Sequence, residues 1–333
     1  MGGDAPTQSV TLLVIAYRMC ATIAESIASA LAQTYPCKVI VSDDSSGDGT
    51  FEAAQACVRE NPRARDVMVR STGRNVGLCA HLVELAQLAR GEILVCLSGD
   101  DVAYPERVEK LVAEFVAHPD AQVVGSAVDD IDADGKLLAA RVRGLPRAID
   151  QRWLLHRGKL TTVLGASMAM RRTLLTDLPP LAGTVEDNML SLRAVLLGEC
   201  RCLPEALLGY RRHGGNLNDR MFDRSGTDYA TFERRHRKVI AMYRDIAADQ
   251  RRCVGARADL PEQRIRLGLE LARMYELEAA MREAILDKPR SQWLGPLWQG
   301  FKHPGLRRKS AERALKLLLP RRLFGKGGAR PNP

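Results

Sequence analysis

Several features that would assign the chain to other classes are scarce or missing. Aromatic residues make up only 5% of the 333 residues, which is few for a β-sandwich. No apolar run reaches the roughly 18 residues that a membrane-spanning helix needs. Residues 1–9 lack the apolar segment of a secretory signal, and Pro6 stands where a myristoylation signal has Ser or Thr. These absences predict a cytoplasmic protein.

The eight cysteines lack the spacing of a metal site or of a disulfide framework. Only Cys200 and Cys202 lie close together in the sequence, and the others are scattered singly. We therefore expect reduced cysteines, most of them buried as small apolar side chains.

Acidic residues are almost missing from the C-terminal tail, which we define as residues 288–333. The tail has twelve Lys or Arg and a single acid, Glu312, whereas the rest of the chain has 37 bases and 39 acids. A protein that wraps nucleic acid carries its basic stripe on the folded body, so no nucleic-acid partner is expected. Leu and Trp beside these bases are typical of a helix at an anionic membrane face. A disordered basic extension is the alternative.

Short apolar runs alternate with amphipathic segments through the first 130 residues. The run Val10–Tyr17 is typical of a strand buried on both faces, and the helix after it has apolar residues at helical spacing. This alternation predicts an α/β fold with a mainly parallel sheet flanked by helices. Further strands are predicted at Lys38–Ser42, Asp66–Arg70, Glu92–Leu97 and Gln122–Val128, and helices at Thr50–Glu60, His81–Ala89, Arg107–Ala117 and, as long charged segments, from Tyr229 to Leu286.

Carboxylates follow two of the predicted strands. Asp43 and Asp44 end the second strand, and the turn Ser98–Asp101 ends the fourth. A polar turn that caps a helix explains such acids without any ligand. Adjacent carboxylates are costly without a partner, however, and ligands of open α/β sheets bind outside the carboxyl ends of the strands. We therefore favour a binding role for both turns.

Later segments carry further candidates. Glu186 and Asp187 begin a predicted helix, where the helix dipole alone favours acids. The segment Gly165–Arg172 is either a buried strand or the wall of a binding site. The segment Leu208–Asn218 is either a basic surface turn or a site element, and it contains the only histidine that glycines, arginines and asparagine surround.

In their order, these segments resemble the motifs of family 2 glycosyltransferases, which have the GT-A fold. By this resemblance, the matching acids Asp43 and Asp44 bind the base and ribose of a nucleotide. The element from Arg74 through Asn75 to Gly77 is similar to the family's R-N-x-G element, which lies against the nucleotide. Ala16 and Tyr17, at the end of the first strand, complete the expected nucleotide site.

The turn at the fourth strand resembles the family's D-x-D-D metal-binding turn. Ser98 replaces the first Asp and Gly99 follows it, while Asp100 matches the principal metal carboxylate and has Asp101 beside it. The resemblance implies Mg or Mn as divalent cation and a nucleotide diphosphate sugar as donor. The segment Leu208–Asn218 resembles the family's Y-R-x-H-x-x-N element, by which His213 is a further metal ligand and basic groups such as Arg211 face the diphosphate.

The segment around Glu186 and Asp187 resembles the family's E-D motif, whose Asp is the catalytic base. Asp187 would then take the proton of an acceptor hydroxyl that attacks the anomeric carbon opposite the leaving group. Repulsion from Glu186 would raise the pKa of Asp187 and the helix dipole would lower it. Gly165–Arg172 resembles the small-residue stretch that precedes the family's acceptor side.

The resemblance spans Val10–Asn218 and implies an inverting sugar transfer to a glycan or lipid-linked acceptor. We expect a catalytic domain over 1–225 whose first half binds the nucleotide sugar and second half the acceptor. A helical extension over 226–287 and the basic tail would follow, with the tail at the inner face of a membrane. Cell-surface polysaccharide or glycoconjugate synthesis is the expected role.

Two alternatives stay open. A sugar nucleotidyltransferase needs a Gly-rich loop after the first strand, and Ala16–Cys20 contains no glycine. A non-catalytic nucleotide-sugar-binding protein on the same fold is favoured by the loss of an acid at Ser98.

Overall fold

The computed structural model describes residues 8–64, 66–142, 144–212 and 229–315. They form two compact units. The first unit consists of 8–150, 162–182 and 186–212, and the second of 151–161, 183–185 and 229–315, apart from the positions not described.

The first unit is a mixed β-sheet flanked by helices. Its strands are β1 (Val10–Ala16), β2 (Lys38–Asp43), β3 (Val67–Ser71), β4 (Ile93–Ser98), β5 (Val102–Ala103), β6 (Ala121–Ile131), β7 (Leu137–Val142), β8 (Ala148–Ile149), β9 (Ala169–Arg171) and β10 (Glu199–Arg211). Its helices are α1 (Ile23–Leu31), α2 (Thr50–Glu60), α3 (Leu78–Leu88), α4 (Arg107–Ala117), α6 (Thr173–Thr176) and α7 (Glu186–Leu197).

Within the described residues the strand order is β3-β2-β1-β4-β9-β6-β10-β5, with β7 beside β6 and β8 beside β10. Strands β3, β2, β1 and β4 are mutually parallel, as predicted. The short strand β9 runs antiparallel to both β4 and β6, and this makes the sheet mixed. Ile93–Leu97 of β4 is buried throughout, as expected for a central strand covered on both faces.

Most predicted elements lie within three residues of their observed bounds, and α2 and α4 coincide with them. The strand β10 was not predicted. It contains Pro204, and its pairing with β6 shifts register between Leu203 and Ala206 and again before Gly209. These irregularities interrupt the alternation by which a strand is identified in a sequence.

Each of the eight cysteines lies in the described residues and is free of disulfides, as expected.

The second unit is helical, with α5 (Gln151–Arg157), α8 (Tyr229–Ala256), α9 (Glu262–Asp287), α10 (Leu294–Lys302) and α11 (Arg307–Leu315). The long helices α8 and α9 pack together and confirm the predicted charged helices. Three ion pairs join their surfaces, and their arginines are spaced by seven residues. The pairs are Arg237–Asp287 at 2.9 Å, Arg244–Glu283 at 2.7 Å and Arg251–Glu276 at 2.6 Å. Exposed pairs of this kind contribute little to stability, because solvent screens them.

The described part of the tail, 288–315, is packed on one side and exposed on the other. Trp293 is fully buried, and its indole N–H donates to the backbone carbonyl of Lys288 at 2.9 Å. Leu294 and Trp298 on α10 are 62% and 63% exposed, and the Lys302 ammonium lies 5.4 Å from the centre of the Trp298 ring. Among the described residues, no helix combines the length and the apolar character needed to cross a membrane.

Candidate active site

The expected site residues follow strands that are neighbours in the sheet. In the register of β1, Ala16 lies opposite Asp43 of β2, and Ile15 lies opposite Ser98 of β4. Because these three strands are parallel, their carboxyl ends meet at one edge of the sheet, which we call the site edge. The acids after β2 and the acids after β4 therefore lie on the two sides of β1, as predicted.

Asp43 is buried and organises the turn that follows β2. Its carboxylate accepts hydrogen bonds from the backbone amide of Ser46 at 3.0 Å and from the Ser46 hydroxyl. The Ser46 hydroxyl in turn accepts a hydrogen bond from the amide of Arg18 at 2.7 Å. This chain of contacts fixes the end of β1, where Ala16 is buried and Tyr17 is 38% exposed, against the β2 turn.

Asp44 organises the loop that contains the R-N-x-G element. One carboxylate oxygen accepts hydrogen bonds from the Thr72 hydroxyl at 3.0 Å and the Val76 amide at 2.9 Å. The other accepts from the Gly77 amide at 2.9 Å, and Gly77 has a φ of +80° that favours glycine. The Asn75 amide group donates to the backbone carbonyl of Asp44 at 3.4 Å. Asp44 therefore binds three donors of its own chain before any ligand.

The remaining residues of the R-N-x-G element face solvent. Arg74 and Asn75 are exposed, and Gly77 is partly exposed at the start of α3. The loop thus presents a cation and an amide at the site edge while Asp44 fixes its backbone. This arrangement suits contact with a nucleotide placed over the turn.

His81 packs against β2 near Asp44, although no sequence motif includes it. It is 1% exposed, and its Nε2 lies 2.6 Å from the Ser42 hydroxyl. Burial lowers its pKa, although the Asp44 charge opposes this effect. The ring is therefore neutral near pH 7 and supports β2 from below. No local pattern in the sequence marks this histidine as buried.

The turn after β4 is held tightly against β1. The Gly99 amide donates to the carbonyl of Ile15 at 2.9 Å, and a Cβ on Gly99 would lie 2.9 Å from the Ile23 side chain. The Ser98 carbonyl accepts a hydrogen bond from the Ser26 hydroxyl at 2.9 Å. Asp100 is 7% exposed. Close packing thus fixes the backbone that carries the predicted cation ligand.

Asp101 and Arg211 form the buried support of this turn. Asp101 is fully buried and accepts a hydrogen bond from the Arg211 backbone amide at 2.9 Å. Burial and the nearby Asp100 charge raise the pKa of Asp101 well above its ordinary value, against the opposing charges of Arg107 and Arg211. Its second carboxyl oxygen is buried and has no hydrogen-bond partner among the described residues.

The Arg211 guanidinium is bound to its own chain, which differs from the expectation of a group facing the diphosphate. It is 2% exposed and donates to the backbone carbonyls of Asp100 at 2.7 Å and Asp132 at 3.0 Å. It also forms an ion pair with Glu25 at 2.5 Å. Arg211 therefore positions the turn that carries Asp100.

The donor set at this turn suits a hard divalent cation that is shared with phosphate oxygens. Asp100 supplies a carboxylate, Ser98 an uncharged hydroxyl, and Asp101 a carboxyl oxygen without a hydrogen bond in the described structure. Within the described residues no cluster of three or more His, Cys, Asp or Glu forms a complete metal site. Mg²⁺ is commonly held by one or two carboxylates together with substrate phosphates. His213, the second expected ligand, lies outside the described residues.

Glu186 and Asp187 begin α7 next to the short 3₁₀ turn Gly165–Ser167. A Cβ on Gly165 would lie 2.8 Å from a carboxylate oxygen of Glu186 and 3.5 Å from the Cβ of Asp187. Burial and the neighbouring Asp187 charge raise the pKa of Glu186 to about 8. A side chain at position 165 would therefore meet the Glu186 carboxylate and force it to shift.

Arg107 connects this pair to the site edge, although no sequence motif includes it. It is fully buried, and its guanidinium donates to the carbonyl of Cys96 at 2.6 Å and to that of Ala166 at 2.8 Å. Burial lowers the pKa of Arg107 to about 10, so it stays charged at neutral pH. Because Ala166 adjoins Gly165 and Cys96 lies near the end of β4, the E-D pair lies at the site edge.

A comparison of the chain with known families identifies it. The model of "Glycosyl transferase family 2" matches residues 11–178, which is half of the chain and includes β1 through α6. The chain belongs to this family. The resemblance expected from the sequence is therefore confirmed at the level of the family.

Curated relatives match this member of family 2 over part of their length. EpsE of Bacillus subtilis, which is named as a glycosyltransferase, is 34% identical over 128 residues, or 38% of this chain and 45% of EpsE. An uncharacterised protein of Mycobacterium tuberculosis strain H37Rv is 29% identical over 216 residues, or 62% of this chain and 60% of the relative. The chain thus spans about half the length of these relatives.

Solved structures agree in fold. Staphylococcus aureus TarS (residues 1–349) has a TM-score of 0.55 at 16% identity, over 92% of this chain and 83% of TarS. The mannosyltransferase PcManGT of Pyrobaculum calidifontis, solved with GDP-Man and Mn²⁺, has a TM-score of 0.51 at 17% identity, over 94% of this chain and 87% of PcManGT. This member of family 2 has the GT-A type fold with a C-terminal helical region, as predicted.

Proposed function

We propose that the protein transfers a sugar from a nucleotide diphosphate sugar to an acceptor hydroxyl, with inversion at the anomeric carbon and Asp187 as the general base. The observation that carries this proposal is the convergence of acids at the site edge. Asp43 and Asp44 follow β2, Asp100 follows β4, and the E-D pair adjoins the same edge through Gly165. A protein without a polar ligand there has no need to gather these charges.

On the donor side, Asp43 and Asp44 bind the nucleoside, and the exposed Arg74 and Asn75 close over it. The three hydrogen bonds that Asp44 already accepts leave part of its acceptor capacity for a ribose hydroxyl or a base N–H. Its main contribution is therefore to fix the loop from Thr72 to Gly77 in the shape that receives the nucleotide. Asp43 has the same double role toward the turn after β2.

Asp100 holds a Mg²⁺ or Mn²⁺ together with the diphosphate, and Arg211 holds Asp100 in place through its backbone. When bound, the cation stabilises the charge that develops on the leaving diphosphate. Ser98 contributes no charge to this site, so the phosphates supply most of the negative charge that binds the ion. Cation binding should therefore depend strongly on bound nucleotide.

In the transfer step the acceptor oxygen forms a bond to the anomeric carbon while the bond from that carbon to the phosphate oxygen breaks. The acceptor proton passes to the Asp187 carboxylate, and the nucleotide diphosphate leaves with the electron pair. Glu186, with its raised pKa, is mostly neutral at pH 7. It therefore adds little negative charge beside the base.

A polysaccharide or glycoconjugate acceptor is the proposed class. Proteins named chondroitin synthase and hyaluronan synthase of Pasteurella match the chain at 28% identity over 131 residues, although this is only 13% of each synthase. A lipid-linked acceptor at the inner membrane face would suit the exposed Leu294 and Trp298 beside the bases of the tail. Sedimentation with anionic and neutral vesicles tests this contact. Equal binding to both kinds of vesicle would contradict a contact with an anionic membrane.

A non-catalytic nucleotide-sugar-binding protein is the second candidate, because Ser98 replaces an acid of the metal-binding turn. One experiment separates the two. Thermal shifts with UDP-, GDP- and dTDP-sugars, with and without Mn²⁺, identify the donor, since a ligand at about 100 times its Kd adds about 2.7 kcal/mol to stability. Release of nucleotide diphosphate from that donor, with acceptor or with water, then supports the enzyme. Binding without any release under all conditions supports the second candidate.

A further inference from the structure

The second unit contains a cleft of about 270 Å³ whose lining includes three bases, His236 and one acid. It lies among α8, α9 and α11. Arg282 of α9 and Lys309 and Arg313 of α11 contribute three bases, whereas Glu312 is the acid at its rim. Glu312 already forms an ion pair with the exposed Arg308 at 3.1 Å.

One buried carboxylate lies behind these bases and cannot balance them. Glu278 is 1% exposed and forms ion pairs with Lys309 and, at 2.6 Å, with Arg313. Arg282 Nε lies 3.9 Å from the same carboxylate. Burial alone would raise the pKa of Glu278, but Arg313 and Lys309 lower it overall. Three positive charges therefore face a single negative one.

Arg282 is partly exposed at the wall of this cleft. Its side chain keeps 24% of its surface accessible, and its guanidinium lies 5.5 Å from the centre of the Tyr243 ring. Packing on Tyr243 holds the guanidinium in one place, and this favours recognition of a ligand with several acceptor atoms.

We propose that this cleft binds the phosphate group of a ligand, at a site separate from the donor site of the first unit. A phosphate offers the negative charge that the three bases lack and acceptor oxygens for Arg282 and its neighbours. Phe232 and Ile285 form the apolar part of the wall, where the less polar part of the ligand lies. A purely structural ion-pair cluster would need only Lys309 and Arg313, which pair Glu278 with α11.

The test measures binding of inorganic pyrophosphate to the full chain by titration calorimetry in EDTA, which removes divalent cations. Arg282→Gln leaves Glu278 paired with Lys309 and Arg313, so folding should be preserved and a melting curve checks this. We expect it to weaken pyrophosphate binding about tenfold, since one charge-assisted contact is lost. Arg244→Gln removes an arginine of the adjoining helix that pairs on the surface with Glu283, and it should leave binding unchanged.

Two further measurements complete the test. Glu312→Gln removes the acid at the rim and should tighten binding. Vesicles of phosphatidylcholine with and without phosphatidic acid distinguish a lipid headgroup from a free phosphate: an Arg282-dependent effect confined to phosphatidic acid assigns the phosphate to a lipid. Equal weakening by Arg282→Gln and Arg244→Gln, or no binding of either probe, would overturn the proposal.

Discussion

Asp44 accepts a hydrogen bond from the backbone amide of Gly77 at 2.9 Å, across 33 positions of the sequence. This bond joins the two segments that the sequence marks as nucleotide-binding. It makes one of the expected ligand-binding carboxylates a structural part of the loop that the nucleotide would contact. Stability and donor binding should therefore respond together when Asp44 is changed.

The Asp44→Asn variant tests this coupling. Replacing one carboxylate oxygen by an NH₂ group places a donor against the Val76 or Gly77 amide. We expect a loss of about 1–3 kcal/mol in stability, accompanied by weaker donor binding. Chemical denaturation and donor titration measure the two effects. Asp134→Asn, in an exposed turn of the same unit, should change neither quantity. Unaltered stability of Asp44→Asn would contradict the structural role of Asp44.

Arg211→Lys tests the support beneath Asp100. A lysine cannot serve the carbonyls of Asp100 and Asp132 and the Glu25 carboxylate at once, because it lacks the planar fork of arginine. We expect a stability loss of about 3 kcal/mol and a weaker dependence of activity on Mn²⁺. Arg212→Lys, at the neighbouring and less buried position, is the control. If the two variants behave alike, Arg211 does not position the turn.

Gly165→Ala tests the close approach of the E-D pair. The added methyl group would lie 2.8 Å from a carboxylate oxygen of Glu186 and 3.5 Å from the Cβ of Asp187, so the Glu186 side chain must shift beside the proposed base. Because misplacing a catalytic group by about 1 Å can cost 10²-fold in rate, kcat should fall by about 10- to 100-fold with little change in donor affinity. Steady-state kinetics with donor titration measure this. Gly144→Ala, where a Cβ meets no atom within 4 Å, should retain full activity.

Glu186→Gln tests the raised pKa. Glu186 keeps its proton up to about pH 8 in the folded protein but would lose it near its ordinary value of 4.5 in the unfolded chain. Between these values the folded state binds more protons, so stability from this group falls as the pH rises. Glu186→Gln should lack this decline. The free energy of unfolding of the variant should therefore rise relative to that of the wild type from about pH 5 to 8. Urea unfolding across this range measures it.

The exposed Glu92→Gln serves as the control in the pH series, and its unfolding free energy should run parallel to that of the wild type. A Glu186→Gln curve parallel to the wild type at every pH would show that Glu186 ionises normally. It would then carry a full negative charge beside Asp187 at neutral pH.

Local sequence signals predicted the first half of the sheet well. The runs at β1, β2 and β4 are apolar because both faces of these strands are covered, and their last residues fix where polar groups emerge. The position of Asp43, Asp44 and Asp100 at one edge follows from parallel pairing alone. The antiparallel β9 and the irregular β10 depend on tertiary packing and carry no comparable local pattern.

The buried arginines could not be predicted for the same reason. Arg107 and Arg211 hydrogen-bond to backbone carbonyls that lie 11 to 111 positions away in the sequence. A sequence pattern assigns such residues to solvent or to a ligand, because their acceptors become neighbours only in the folded chain. His81 likewise has no local signal of its contact with Ser42, against which it is buried.

The most direct test of the account is the transfer rate of Asp187→Asn, measured with the donor that the thermal-shift screen identifies. Asparagine preserves the size of the side chain but cannot accept the acceptor proton. We predict unchanged donor affinity, an unchanged melting temperature within about a degree or two, and transfer slowed by about 10²–10⁴-fold. Transfer at the wild-type rate in a folded Asp187→Asn protein would contradict the assignment of Asp187 as the base.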